Sequence, residues 1–170
     1  PQDFVMYTDQ ITPRINFTQL LLYERPKAAA WITGNAAHPT LSGLVKFYQT
    51  NYGGVLVEAE TFGLPNIDTQ GSSNFYAFHI HEFGDCSGDF QKAGGHYNPQ
   101  GSMHPDHAGD LPPLLGNQGY AWASFYDKRF TINEIIGKSV IIHENRDDFT
   151  SQPSGDPGPM IGCGEIRRTL

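Results

Sequence analysis

The sequence predicts an all-β fold, an antiparallel sandwich or barrel, and three observations carry that expectation. Short strand-like runs recur along the chain, bounded by Gly, Asn and Pro. Within them Leu44, Lys46 and Tyr48, then Val55, Val57 and Ala59, recur at a period of two, one side of each strand being more polar than the other. Helical periodicity is weak everywhere after Lys27. The 170 residues suit one domain, because a chain of this size buries roughly 70% of its unfolded surface in a single core.

Residues 1–26, broken by Pro13 and Pro26, read as an N-terminal extension with one short helix around residues 18–24. Asn16-Phe17-Thr18 fits a glycosylation sequon, a triplet common by chance. The domain proper is expected over residues 27–170. Runs 28–34, 41–50 and 55–64 are its first strands, with Asn51-Tyr52-Gly53-Gly54 as the turn between the second and third. Run 74–83 is the fourth, 120–127 and 139–144 follow, and 161–167 is the last. Two stretches do not fit a plain sandwich. Residues 84–119 contain no convincing strand or long helix, and a loop that long needs something to pin it. It holds Cys86, Asp89, His96, His104, Asp106, His107 and Asp110, residue types that metals and disulfides use. The second stretch, 145–160, is rich in Asp, Ser, Gly and Pro.

Composition narrows the function. Only 17% of residues are charged and 12% are aromatic, which argues against a disordered chain. The net charge is −7 with no basic stripe, so nucleic acid is not an expected partner. The longest aliphatic run near the N-terminus, residues 20–22, is too short for a membrane span or a signal core. The expected location is therefore the cytoplasm, or an extracytoplasmic compartment if a segment was removed before Pro1. Two cysteines allow at most one internal disulfide.

Six of the seven histidines fall between positions 79 and 143. His79 and His81 flank Ile80 on an expected strand, so both imidazoles share one face and suit one ion. His143 ends the apolar run Val140-Ile141-Ile142 and brings a third imidazole from another strand. In the long loop His96, His104, His107 and Asp110 make up a donor set suited to a closed tetrahedral zinc site. A single metal would leave some of these ligands idle. His38, before Pro39 in a turn, reads as an ordinary surface or core histidine.

The string Phe78-His79-Ile80-His81-Glu82-Phe83-Gly84-Asp85 resembles the first copper motif of copper–zinc superoxide dismutases. Gly94-Gly95-His96-Tyr97-Asn98-Pro99 resembles the segment with their bridging histidine. His104 and His107-Ala108-Gly109-Asp110 match their zinc ligands, with a shortened stretch between the two histidines. Gly137-Lys138-Ser139-Val140-Ile141-Ile142-His143-Glu144 matches the segment with the last copper ligand, followed by Asp147-Asp148. Gly162-Cys163-Gly164 matches the region of the second disulfide cysteine. The resemblance runs from about Ala28 to Arg167 and implies an eight-stranded Greek-key sandwich or flattened barrel with two long loops over the metals. It implies copper on His79, His81, His96 and His143, and zinc on His96, His104, His107 and Asp110, with His96 shared. Asp147 would receive N–H groups from one histidine of each set, and Cys86 would pair with Cys163. The implied reaction is dismutation of superoxide, a small-molecule partner, to dioxygen and hydrogen peroxide; a homodimer is compatible with it.

One position departs from the family pattern. The arginine expected three residues before the second cysteine is Met160 here, and nothing basic occurs between Asp147 and Glu165. The field that guides a small anion should be weaker, with Arg146 a partial substitute opposed by Glu144, Asp147 and Asp148. A copper-storage or metal-binding protein on the same scaffold is the alternative. A cupin-like oxygenase would use His79-x-His81 with Asp85, but would leave His104, His107 and Asp110 unexplained.

Overall fold

A computed structural model describes residues 17–65 and 73–170. The fold is mostly β, with an antiparallel sheet of seven strands curled into a half-barrel. The strands are β1 (Ala28–Gly34), β2 (Ser42–Gln49), β3 (Val55–Phe62), β4 (Phe75–Tyr76), β5 (Phe78–His81), β6 (Leu114–Leu115), β7 (Ala121–Asp127), β8 (Ser139–His143) and β9 (Met160–Arg168). The order across the sheet is β5-β8-β9-β1-β2-β3-β7, and β4 pairs with β6 in a separate ribbon. After β3 the chain crosses to β5 at the opposite edge, returns to β7 beside β3, and crosses again to β8.

The period of two sets the core. Val45 and Phe47 on β2, Val57 and Ala59 on β3, Phe78 and Ile80 on β5, and Val140 and Ile142 on β8 are almost fully buried in one cluster. Burying each large apolar side chain stabilises the fold by roughly 1.5–3 kcal/mol. On β5 this alternation fixes function as well: Phe78 and Ile80 face the core, so His79 and His81 must share the other face.

The local structure departs from the sequence expectation in the fourth run, in β6 within residues 84–119 and in a short helix after β7, and agrees with it at the N-terminus. The fourth run is two strands, because the chain changes partner: Phe75 and Tyr76 pair with Leu115 and Leu114, whereas residues 78–81 pair with β8. Ala77, between them, donates to Asn145 O and accepts from His143 N–H. A short helix α2 (Ile132–Ile135) follows β7, started by a capping box in which Thr131 accepts from the Glu134 N–H and Glu134 accepts from the Thr131 N–H. Thr131-x-x-Glu134 was its signal in the sequence. The expected N-terminal helix is present as α1 (Phe17–Tyr23), with Phe17 stacked on Tyr126 at 5.3 Å between ring centroids. Asn16 of the sequon lies outside the described residues.

The long loop is pinned to the free edge of β5. Ile80 N–H donates to Gly109 O, Tyr97 N–H to Ile80 O, Glu82 N–H to Gly95 O and Phe83 N–H to Ala93 O. A disulfide joins Cys86 to Cys163 on β9. These links allow a loop of such length to hold one shape.

Candidate metal centre

Two donor groups lie side by side on the outer face of β5 and β8. His79, His81, His96 and His143 place one nitrogen each within 4.8 Å of one another, and so do the donor atoms of His96, His104, His107 and Asp110. Each position has a local cause. β5 delivers His79 and His81, the end of β8 delivers His143, and the edge pairing of His81 with His96 and of His79 with Asp110 docks the loop donors beside them. His96 belongs to both groups.

The polarity of the rings shows what the groups suit. His79 Nε2 donates to Asp147 Oδ2 at 2.8 Å, His81 Nδ1 to Gly94 O at 2.8 Å, and His143 Nδ1 to Gly158 O at 2.9 Å. His104 Nε2 donates to Asp147 Oδ1 at 2.7 Å. A neutral imidazole that donates with one nitrogen presents a lone pair at the other. The inward atoms His79 Nδ1, His96 Nε2 and His104 Nδ1 are buried and make no hydrogen bond. Such orphaned acceptors are costly unless a cation fills the space between them.

The spacing agrees. His96 Nδ1 lies 2.7 Å from Asp110 Oδ1 and 3.3 Å from His107 Nδ1. Asp110 Oδ2 lies 3.1 Å from His104 Nδ1 and 3.2 Å from His107 Nδ1. A tetrahedron with bonds of about 2.0 Å has edges of about 3.3 Å, so this set fits a zinc-sized ion. In the first group His81 Nε2 and His143 Nε2 stand 3.5 Å apart. The donor sets fit two metals, one of them bound only by imidazoles, which suits copper, and one by imidazoles and a carboxylate, which suits zinc.

Burial sets the electrostatics. It pushes His79 down to about 4 despite the Asp147 hydrogen bond, His143 down to about 3, and His81 well below the ordinary value. Burial also opposes ionisation of Asp110, yet the hydrogen bond from His96, helped by the His107 N–H, outweighs it and holds the carboxyl at about 2. For Asp147 burial is likewise outweighed, by hydrogen bonds from His79 and His104, and its carboxyl is lowered. Neutral rings and charged carboxylates are the forms that bind metals. These depressed folded-state values fix a sign for the metal-free protein. The unfolded chain takes up protons near 6.5 on His79 and His143, and the folded one does not until about 4 and about 3. The stability they contribute is therefore present above about pH 6.5 and lost as pH falls toward 4. For His79 alone the loss is on the order of 3 kcal/mol. Urea unfolding of metal-free protein at pH 7, 5.5 and 4 is expected to show falling midpoints; a flat profile would contradict it.

Several contributors left no mark in the sequence. Gly155, at φ +81°, sits where a Cβ would lie 2.1 Å from Asp147 Oδ1 and 2.6 Å from His104 Nε2, so only glycine lets that carboxylate span both groups. Gln152 accepts from the His104 N–H at 2.9 Å and donates to the His104 carbonyl at 2.6 Å. The remaining residues singled out in the sequence lie elsewhere. His38 bonds Asn35 in its turn, and Asp85 is exposed and accepts from Ser87, away from the histidines.

A cleft of about 520 Å³ opens over His81, His96 and His143, and its lining holds no Lys, Arg, Asp or Glu. Met160 lines it and packs against the small cluster of Phe90, Ala93, Ile141 and Cys163. Arg146 lines a separate cavity with Phe75 and Phe149, so it is not a cation of this cleft.

Comparison with known proteins agrees with the geometry. The family profile described as copper/zinc superoxide dismutase matches residues 41–166. The extracellular superoxide dismutase [Cu-Zn] of Oryctolagus cuniculus is 33% identical over 140 residues, which are 77% of this chain and 57% of that protein. The chain thus matches little more than half of that relative. Superoxide dismutase [Cu-Zn] A of Xenopus laevis is 33% identical over 141 residues, 74% of this chain and 89% of that one. The crystal structure of the clock protein EA4 superposes with a TM-score of 0.72 at 30% identity, covering 85% of this chain and 96% of that chain. Among the described residues no helix is long and apolar enough to cross a membrane.

Proposed function

Because the chain belongs to the copper/zinc superoxide dismutase family, which binds copper and zinc, we propose that it dismutates superoxide to dioxygen and hydrogen peroxide. The observation that carries this reading is the pair of complete donor sets sharing His96. His79, His81, His96 and His143 would hold copper, and His96, His104, His107 and Asp110 would hold zinc. Copper there would supply the one-electron oxidation of one superoxide and the one-electron reduction of a second. The chain's own contributions are positional. Asp147 locks one ring of each group, and the carbonyls of Gly94 and Gly158 lock two more. His96 Nε2, an acceptor buried without a hydrogen bond, would take up a proton from water and pass it to the reduced product. The unit carrying this chemistry is residues 27–170, with 1–26 an extension. Pulse radiolysis of protein reconstituted with copper and zinc tests the reading: second-order superoxide decay that scales with bound copper supports it. Decay no faster than that of metal-free protein would favour the alternative, a copper-storage or metal-binding protein on this scaffold, for which the uncharged cleft speaks.

The same cleft sets the expected rate. Superoxide is an anion and the chain carries net charge −7, a field that slows encounter. A cation in the cleft would counter it within about 8 Å at physiological salt. At position 160 a thioether, packed on an apolar cluster, stands in its place. Met160→Arg is expected to raise the second-order rate several-fold at low salt, with a gain that shrinks as ionic strength rises and with unchanged copper content. A variant with wild-type rate and salt dependence at full copper loading would show that position 160 does not limit encounter.

A further inference from the structure

Arg129 stands in the turn between β7 and α2, and its side chain reaches the loop that carries His107 and Asp110. Its guanidinium donates to the main-chain carbonyl of His107 at 3.3 Å and to that of Asp110. The same group is held from behind by Asp127, with Nε 3.2 Å from Oδ1 and Nη2 3.0 Å from Oδ2. Asp127 is 6% exposed and also accepts from the Arg129 N–H at 2.8 Å. One planar fork thus grips the backbone of two donors in the group read above as the zinc site, from 22 and 19 positions away.

We propose that Arg129 is a positioning residue for zinc, fixing His107 and Asp110 toward His96 and His104 through their carbonyls, with Asp127 aiming the guanidinium. The inference rests on the zinc reading of that donor group. The chemistry explains the choice of residues. Arginine has five donors in fixed directions, so its planar fork spans two carbonyls and both oxygens of a carboxylate at once, whereas the three donors of a lysine ammonium radiate from a single atom. An unpaired arginine beside a cation site would repel the ion; Asp127 makes the pair neutral, so it orders the loop without opposing the charge of zinc. The device is separate from the one at His104, whose backbone is held by Gln152.

Holoprotein variants test this. Zinc affinity is measured by chelator competition, ligand geometry by the visible spectrum with cobalt in place of zinc, and the copper group by its EPR spectrum. Arg129→Ala is expected to weaken zinc about 10–100-fold, the range for loss of groups that orient ligands, to change the cobalt bands, and to leave copper content and EPR unchanged. Arg129→Lys, which keeps the charge without the fork, should fall between, and Asp127→Asn should weaken zinc in the same direction. Asp110→Ala is the reference. If it loses zinc while Arg129→Ala and Asp127→Asn bind zinc within twofold of wild type, the positioning role is wrong and the zinc site stands. If Asp110→Ala itself retains zinc, the zinc reading fails and the proposal with it. Should Arg129→Ala not fold, Arg129→Lys and Asp127→Asn decide by the same criterion. Equal loss of copper and zinc would mark a general structural role and overturn the proposal.

Discussion

His143→Ala is expected to abolish copper binding and dismutase activity while zinc remains near one per chain. His143 belongs only to the all-imidazole group; its Nε2 faces His81 Nε2 at 3.5 Å, and its Nδ1 is fixed by Gly158 O. Its removal takes one of four donors from that group and none from His96, His104, His107 and Asp110. Activity that depends on copper should fall to the background of metal-free protein, a far larger change than any expected from position 160. The deletion also removes the donor to the Gly158 carbonyl, but Gly158 is exposed and water can replace that donor, so circular dichroism should show the fold retained. Asp110→Ala is the converse experiment. Its carboxylate lies within 3.2 Å of nitrogens from His96, His104 and His107, so zinc should weaken first and copper follow only through His96. Equal depletion of both metals in both variants, measured by elemental analysis, would show that the division into two groups is wrong.

Cys86→Ser with Cys163→Ser is expected to lower the melting temperature of the metal-free protein by roughly 10–15 °C. The bridge closes 77 positions of chain, for which loop-closure entropy gives about 4.5 kcal/mol. Its location adds a local effect. It ties the start of the long loop to β9, and Cys163, 1% exposed, packs with Phe90, Ala93, Ile141 and Met160 under the cleft. Freed from this anchor, the segment holding His96 loses one tether and keeps its edge bonds to β5 and the Tyr97–Glu134 hydrogen bond, so both metals should bind more weakly. Calorimetry of the double variant beside wild type, both metal-free, measures the first effect. A drop of less than about 3 °C would mean that the folded loop is held by its backbone pairing and that the bridge adds little.

The strands and most donors could be read locally. Short strand-like runs bounded by turn residues located all seven strands of the main sheet, and a period of two put His79 and His81 on one side of β5. It could not show the break at Ala77, because the two halves of run 74–83 differ in partner and not in pattern. α2 was written in Thr131 and Glu134, but its four residues are too few for helical periodicity to register. The shared histidine, the Asp147 link and the disulfide came from resemblance to a family; neither spacing nor periodicity implied them.

What the sequence by itself determined was the residue types available for metal, an acidic chain with no basic residue between Asp147 and Glu165, and the alternation that turns two imidazoles away from the core. Only the tertiary structure decided which nitrogen of each ring is free, because that depends on carbonyls and a carboxylate brought from 13 to 68 positions away. It also decided that Gly155 must lack a side chain, that Met160 packs on the cluster around Cys163, and that Arg129 rather than a loop residue holds the backbone of His107 and Asp110. Alternation and capping repeat within a few residues and leave a trace in the order of amino acids. A contact between distant segments leaves none, since its partners are set by how the whole sheet curls.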